Sequence, residues 1–298
     1  MRSLAVFVVL LAMLSVSAAK DEFQAGDFVK QHLNSIGTEQ ARAAVKNRLA
    51  QGALSFQVLN VAGRLDGTLQ FVSEGDKFVS VLKIPSPDYH GEQFVSDGKK
   101  TAVKQVKPGI YSRLGRFVFE HNEVLTEGLW GGTLSTAWAL SHLDERHAKL
   151  QDQGLKKMDG RELHRVDYVP KKSSDLRIEL YCEPDTFRHV MTVYSYHVMP
   201  MGGGGPTASA GQQESYFRLE ERFADFKSVD NLMLPGRWTI QFSGDTSGSS
   251  GGFNGDPSTL VTNATTQRAS TTSISQFEAT EAKISHNISL DPKNFEVK

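Results

Sequence analysis

Hydrophobic positions recur with two different periods along the chain, and the period changes several times. Between residues 27 and 50 the apolar residues recur every three to four positions, which is typical of helix, and Thr38 after Gly37 marks a second helix start. From Leu54 the period becomes two, as in strands with one buried face. The mature chain is therefore predicted to begin with helix and to continue as sheet.

A first block of strands runs from residue 54 to residue 106. Its separators are Gly63, residues 74–76 and residues 85–87, and Asp97-Gly98 is a hairpin signal. Strands of about eight residues that are joined by such short turns predict an antiparallel meander.

A helical insertion, residues 116–150, interrupts the strands. Apolar residues return to helical spacing there, glycines at 128, 131 and 132 break it, and the segment holds two of the three tryptophans. Ordinary packing on the sheet is one interpretation. The other is a lid over an apolar cavity, because glycines allow a hinge and tryptophan offers a large apolar surface to a ligand. The candidate ligand-binding residues are Leu129, Trp130, Leu134 and Trp138.

A second block of strands resumes at Gly160 and runs to Leu290. Phe277 and Ile284 have opposite parity in the last stretch, which predicts a β-bulge between them. Two segments rich in glycine and serine, residues 199–213 and 243–257, are predicted to be flexible loops between strands.

The order of these elements predicts an α+β fold. A sheet of about ten antiparallel strands curls strongly, because strand twist accumulates from one strand to the next. The helices have apolar faces that need cover. We therefore expect a strongly curved antiparallel sheet, an incomplete barrel, with helices packed on its concave side.

The first nineteen residues have the pattern of a secretory signal peptide. Arg2 precedes an apolar run at residues 4–14, and small residues follow up to Ala19. A membrane anchor is the alternative, but residues 4–19 would span about 24 Å as a helix, less than a hydrocarbon core of about 30 Å. No cysteine stands directly after the run, where a lipid anchor would need one. We expect a single domain at residues 20–298, without a lipid anchor, periplasmic or secreted.

Composition excludes several classes of protein. The 298 residues include 33 Lys and Arg against 34 Asp and Glu, a net charge of −1, so no bulk positive field favours nucleic acid. One cysteine, Cys182, excludes a disulfide framework and a cysteine-rich zinc site. Cys182 alternates with apolar residues and is expected in the core.

Catalytic and metal-binding patterns are weak. Residues 248–252 match G-x-S-x-G, and His286 follows Ser250 in hydrolase order, but the strand and helix that such an elbow needs are missing. His142 and His147 are five residues apart, a spacing that does not bring both imidazoles to one helical face. We predict no catalytic residue, no metal and no cofactor.

Three segments, residues 158–171, 176–190 and 223–235, resemble bacterial periplasmic lipoprotein carriers of the LolA/LolB type. Together they follow the order of elements found in that family. A turn with glycine leads to a strand that ends in Pro-Lys, a second strand ends at an acidic turn with proline, and a third strand is followed by an acidic turn before a proline. Asn231 stands where the family usually has glycine, and Phe226 where it has tyrosine. The resemblance implies an incomplete barrel whose open side is covered by helices and whose apolar interior holds acyl chains.

Pattern and resemblance together predict an exported, non-enzymatic monomer that binds a lipid or an acylated protein in a concave apolar cavity. Each buried CH₂ group contributes a free energy of about 0.8 kcal/mol, which makes such binding energetically reasonable. Two alternatives remain: an envelope interaction or scaffold protein with a packed interior, and a secreted hydrolase that uses Ser250.

Overall fold

The computed structural model describes residues 23–297 except residues 60, 87–88, 110, 173, 199–214 and 247–270. The helices in the described residues are α1 (Ala25–Ile36), α2 (Glu39–Ala43), α3 (Arg113–Glu120), α4 (Glu123–Thr126) and α5 (Leu143–Arg146). Short 3-10 helices lie at Gly132–Leu134, Ala139–His142 and Pro292–Phe295. No helix in this part of the chain combines the length and the apolar character needed to cross a membrane.

The described residues also form fourteen strands. The first five are β1 (Asn47–Val58), β2 (Leu65–Glu74), β3 (Lys77–Lys83), β4 (Gly91–Ser96) and β5 (Thr101–Gln105). After the helical segment follow β6 (Lys149–Met158), β7 (Arg161–Val169), β8 (Arg177–Cys182), β9 (His189–Val198) and β10 (Ser215–Ala224). The last are β11 (Lys227–Val229), β12 (Leu232–Leu234), β13 (Arg237–Thr246) and β14 (Thr271–His286).

Twelve of these strands form one antiparallel sheet. Its order is β5-β4-β3-β2-β1-β14-β13-β10-β9-β8-β7-β6, while β11 and β12 form a separate hairpin. The β1–β14 pair joins the two blocks of strands. The sheet is not closed, because β5 and β6 are edges with one neighbour each among the described strands.

The sheet curves strongly, and one side chain demonstrates it. The Trp130 ring lies 4.5 Å from Phe94 on β4 and 5.2 Å from Trp238 on β13, measured between ring centroids. Those strands are five steps apart in the sheet order, about 24 Å along a flat sheet at ~4.8 Å per step. The α+β half-barrel that the sequence predicted is therefore the observed fold.

The helical segment fills the concavity. We call the concave face of the sheet the bowl, and residues 113–147, from α3 to the turn after α5, the plug. Both belong to one apolar core. Buried members of the bowl wall include Ala50, Leu54, Leu69, Phe71, Phe78, Leu82, Phe94, Leu180, Tyr194, Leu219, Phe223, Trp238, Ile240 and Phe277.

Glycines determine the irregular path of the plug. Gly128, Gly131 and Gly132 have φ values of 66°, 76° and 51°, the left-handed region that other residues avoid. A β-carbon on Gly131 would lie 2.4 Å from the Phe71 ring. Continuous helix is therefore excluded here, and the plug consists of short turns that approach the wall closely.

The outer face of the first block is covered by the C-terminus. Phe295 packs with Val72, Val79 and Val95 in a second apolar cluster, and all four are buried. This cluster lies on the opposite side of the sheet from the plug, because its strand residues alternate with those that face the bowl.

Several sequence predictions need correction. The first helix was predicted to reach Ala50, but β1 begins at Asn47, because pairing with both β2 and β14 outweighs local helical spacing. The insertion was predicted to end at residue 150 with strands from Gly160, but β6 starts at Lys149. Its polar sequence suits a sheet edge. β13 continues to Thr246, inside the predicted loop 243–257.

Other predictions are confirmed. Thr38 begins α2, and its hydroxyl accepts a hydrogen bond from the Ala41 backbone at 3.2 Å. The β-bulge is present, as a register shift where Gln51 pairs with Lys283 and Ala53 with Thr280.

The contact between Gly131 and Phe71 gives a stability prediction. Gly131→Ala combines left-handed strain with a steric clash and should lower the free energy of unfolding by about 2–4 kcal/mol. Gly154→Ala is the matched control, because Gly154 has φ 67° and no atom within 4 Å of an added β-carbon. It should cost only about 1 kcal/mol. Urea unfolding of both variants measures the difference, and equal losses would contradict the close packing.

Candidate functional site

The ring nitrogens of two plug tryptophans are both hydrogen-bonded, that of Trp130 to the wall and that of Trp138 to helix α1. Trp130 Nε1 donates to Ser80 Oγ at 2.7 Å, and Trp138 Nε1 donates to His32 Nε2 at 2.8 Å. His32 Nδ1 in turn donates to the Phe187 carbonyl at 2.9 Å. These contacts fix both rings in the bowl and fix the tautomer of a neutral imidazole.

Two buried histidines flank Trp138. The His189 ring lies 4.6 Å from the Trp138 ring and 6.3 Å from the His32 ring. Burial lowers the pKa of His32 to about 4, and burial also lowers the pKa of His189 well below its ordinary value. Both imidazoles are therefore uncharged near neutral pH.

A buried carboxylate on β10 holds the middle of the plug. Glu221 accepts hydrogen bonds from the Gly131 backbone at 2.8 Å, from Tyr194 Oη at 2.8 Å and from Trp238 Nε1 at 3.0 Å. Burial raises its pKa to about 7. No lysine or arginine of the described residues acts on Glu221 as a counter-charge, so only neutral donors stabilise its negative form.

A second buried carboxylate holds the start of the plug. Glu92 on β4 accepts from the Ser112 backbone at 2.7 Å, from Ser112 Oγ at 2.7 Å and from Tyr89 Oη at 3.1 Å. Ser112 is the N-cap of α3, so Glu92 fixes the residue where the plug begins. Burial raises the pKa of Glu92 to about 6.

A buried arginine on β1, Arg48, also holds the plug. Arg48 on β1 donates from Nη1 to the Thr133 carbonyl at 2.5 Å and from Nε to His286 Nε2 at 3.0 Å. His286 Nδ1 lies 2.8 Å from Asp230. Desolvation lowers the pKa of Arg48 to about 10, so the guanidinium is charged at neutral pH.

Aromatic rings cluster where α3 meets the ends of β9, β10 and β13. We call the group of Phe117, Tyr196, Phe217 and Phe242 the mouth. Phe117 and Phe217 lie 5.3 Å and 6.4 Å from the Phe242 ring, and Tyr196 lies 6.4 Å from Phe217. Tyr196 and Phe217 are partly exposed, so apolar surface reaches solvent here.

The structure brings together the four residues that the sequence singled out. Leu129, Trp130, Leu134 and Trp138 all lie in the plug, and each is 0–1% exposed. They fill the bowl, and their role as ligand contacts stays a prediction. Sequence analysis did not find Arg48, Glu92 or Glu221. A signal did exist for Glu221, which takes an inward strand position between Leu219 and Phe223.

Among the described residues considered for catalysis, His286 has structural partners. Ser250 falls outside the described residues, while His286 is engaged with Arg48 and Asp230. No group of three or more potential metal ligands occurs in the described ranges. Cys182 is buried, and burial raises the pKa of its thiol far above the ordinary value.

Comparison with known proteins gives likenesses of structure alone. No protein-family model and no curated protein matches the sequence. The fold is similar to a LolA superfamily protein from Nitrosomonas europaea (12% identity, 93% of this chain and 99% of that chain, TM-score 0.46). It is also similar to a DUF1329 family protein from Desulfovibrio piger (10% identity, 91% and 97%, TM-score 0.43). A third, described as an outer membrane lipoprotein-sorting protein domain, comes from Vibrio parahaemolyticus (10% identity, 91% and 97%, TM-score 0.43).

The environment of Glu221 gives a pH prediction. Its pKa is about 7 in the fold against an ordinary 4.5, so the folded chain holds a proton that the unfolded chain releases between those values. The protein therefore loses stability from this group as pH rises from 4.5 to 7. Relative to the wild type, Glu221→Gln should gain stability over that window, by on the order of 3 kcal/mol. Urea unfolding of both proteins from pH 5 to 8 tests this, and a constant difference would contradict it.

Proposed function

We propose that this chain is an exported, non-enzymatic monomer that binds a lipid, or the acyl chains of an acylated partner, in the bowl. The plug occupies that space in the structure described above. Ligand binding therefore requires the plug to move aside, and the plug closes the bowl again when the ligand leaves.

The observation that carries this proposal is the nature of the plug. A large apolar wall is covered by a segment of short turns, with left-handed glycines at 128, 131 and 132, and no plug helix exceeds the eight residues of α3. The plug has backbone hydrogen bonds of its own, such as that from the Ala139 N–H to the Gly128 carbonyl at 3.1 Å. Helices this short are marginal in isolation, so the plug also depends on contacts with the wall for its order. Such a segment is suited to leave and to return as a unit.

An acyl chain buries about as much apolar surface as the two plug tryptophans. Two buried tryptophans remove ~300–500 Å² from water, which corresponds to about 10 kcal/mol at ~25 cal/mol per Å². An acyl chain of twelve to sixteen carbons gains about 10 kcal/mol at ~0.8 kcal/mol per CH₂. A bound chain therefore offsets the loss of both indoles, and the other buried plug residues, Leu125 and Leu140 among them, add to the cost of opening.

The mouth is the proposed point at which a ligand enters. Tyr196 and Phe217 are partly exposed, and the Phe217 ring lies beside the buried Phe242. An acyl chain that reaches these rings finds apolar surface from solvent to the core. Removal of residues 1–19 on export would leave the domain at residues 20–298 to present this surface in the periplasm or outside the cell.

Trp130→Ala tests the exchange. The variant weakens the plug but leaves the bowl wall intact, so a dodecanoyl fluorescent probe should bind at least about tenfold more tightly than to the wild type. Isothermal titration calorimetry measures this.

Phe295→Ala is the control, because Phe295 is equally buried but packs on the outer face. It should lower stability and leave probe affinity unchanged. If the probe binds neither the wild type nor Trp130→Ala, the proposal fails.

A second candidate function is an envelope interaction protein with a permanently packed interior. The observation that favours it is the near-complete burial of Leu129, Trp130, Leu134 and Trp138 within the protein itself. Photo-crosslinkers at Phe217 in the mouth and at Leu155, which is exposed on the edge strand β6, distinguish the two candidates. Lipid captured at Phe217 supports the carrier, and a protein partner captured at Leu155 supports the interaction protein.

A further inference from the structure

Two strands of the bowl wall bind the same turn of the plug through its backbone. Glu221 on β10 accepts the Gly131 N–H at 2.8 Å, and Arg48 on β1 donates to the Thr133 carbonyl at 2.5 Å. Both residues are at least 95% buried. The N–H and the carbonyl belong to different peptide units of the turn, so the wall offers two separate groups, an acceptor at Glu221 and a donor at Arg48.

When the plug leaves, Glu221 and Arg48 each lose one hydrogen-bond partner. Glu221 keeps the donors of its own wall, Tyr194 and Trp238, but loses the Gly131 N–H. Arg48 keeps His286 but loses the Thr133 carbonyl. A ligand that fills the bowl seals both groups from water, and a buried charged group that lacks a partner is costly.

We propose that Glu221 selects among ligands of the bowl, in favour of acyl chains whose polar end is an amide and against acyl chains that end in an ester or a free carboxylate. This inference rests on the proposed function. An amide can supply an N–H to Glu221 in place of the Gly131 N–H. An ester has no N–H to donate, and a carboxylate adds a second negative charge beside Glu221.

The surroundings of Glu221 support a direct role. The groups that face it are the Gly131 backbone, the Tyr194 hydroxyl and the Trp238 indole, and of these only Tyr194 titrates. Burial holds the pKa of Tyr194 well above its ordinary value, so Tyr194 stays a donor. At pH 8, Glu221 is therefore the charged acceptor and no neighbouring group competes for the ligand N–H.

The test compares two probes that differ in one donor. N-methyldodecanamide and methyl dodecanoate have nearly the same shape, and only the amide has an N–H. Titration calorimetry at pH 8 should show that the wild-type mature chain binds the amide at least about tenfold more tightly, the effect of one charge-assisted hydrogen bond. Glu221→Leu should reduce this preference to one or below, because the amide costs more to desolvate than the ester.

Two further variants test whether the preference depends on the carboxylate of Glu221 itself. Glu221→Gln retains the size of the side chain and should show an intermediate preference, because its amide can donate to the ester. Glu220→Gln is the matched control, since Glu220 faces the other side of β10 and pairs with Arg218 and Arg222. It should keep the wild-type preference.

The outcomes separate this inference from the proposed function. Equal binding of amide and ester by the wild type, or an amide preference that survives in Glu221→Leu, overturns the role of Glu221 and leaves acyl binding intact. Binding of neither probe to any variant overturns both.

Discussion

The concave face of an open, strongly curved sheet must be kept from water, and the rest of this structure follows from that need. Twelve strands bend far enough for one indole, Trp130, to contact both β4 and β13. The surface so formed is too apolar to stand empty in water. The plug covers it with short glycine-containing turns, and an apolar ligand is the alternative occupant that we propose.

Charged groups at the plug interface make the closed state more specific than apolar packing alone would. Glu92, Glu221 and Arg48 each bind the plug or its N-cap through backbone atoms. Buried His32 and His189 beside Trp138 disfavour the closed state on acidification, whereas the carboxylates disfavour it on deprotonation. These opposite contributions offset one another over roughly pH 5–7, so we expect closure to respond to ligand chemistry more than to pH.

Sequence reasoning succeeded where burial has a simple period. Phe78 and Leu82 alternate toward the bowl, and the parity change near Ile284 marked a real bulge. It failed at β6, because an edge strand buries too few side chains to show an alternation of apolar and polar residues. It also missed Glu92 and Glu221, since a carboxylate at an inward position is satisfied by donors from distant segments. Periodicity contains no information about such partners.

Hydrogen exchange with and without a saturating acyl ligand tests the central claim most directly. If the ligand replaces the plug, amides around Gly131 and Leu134 lose protection when it binds, while those of β1, β14 and β13 keep theirs. If the ligand binds and protection of the plug stays the same or rises, the plug is a permanent part of the core and the exchange account is wrong.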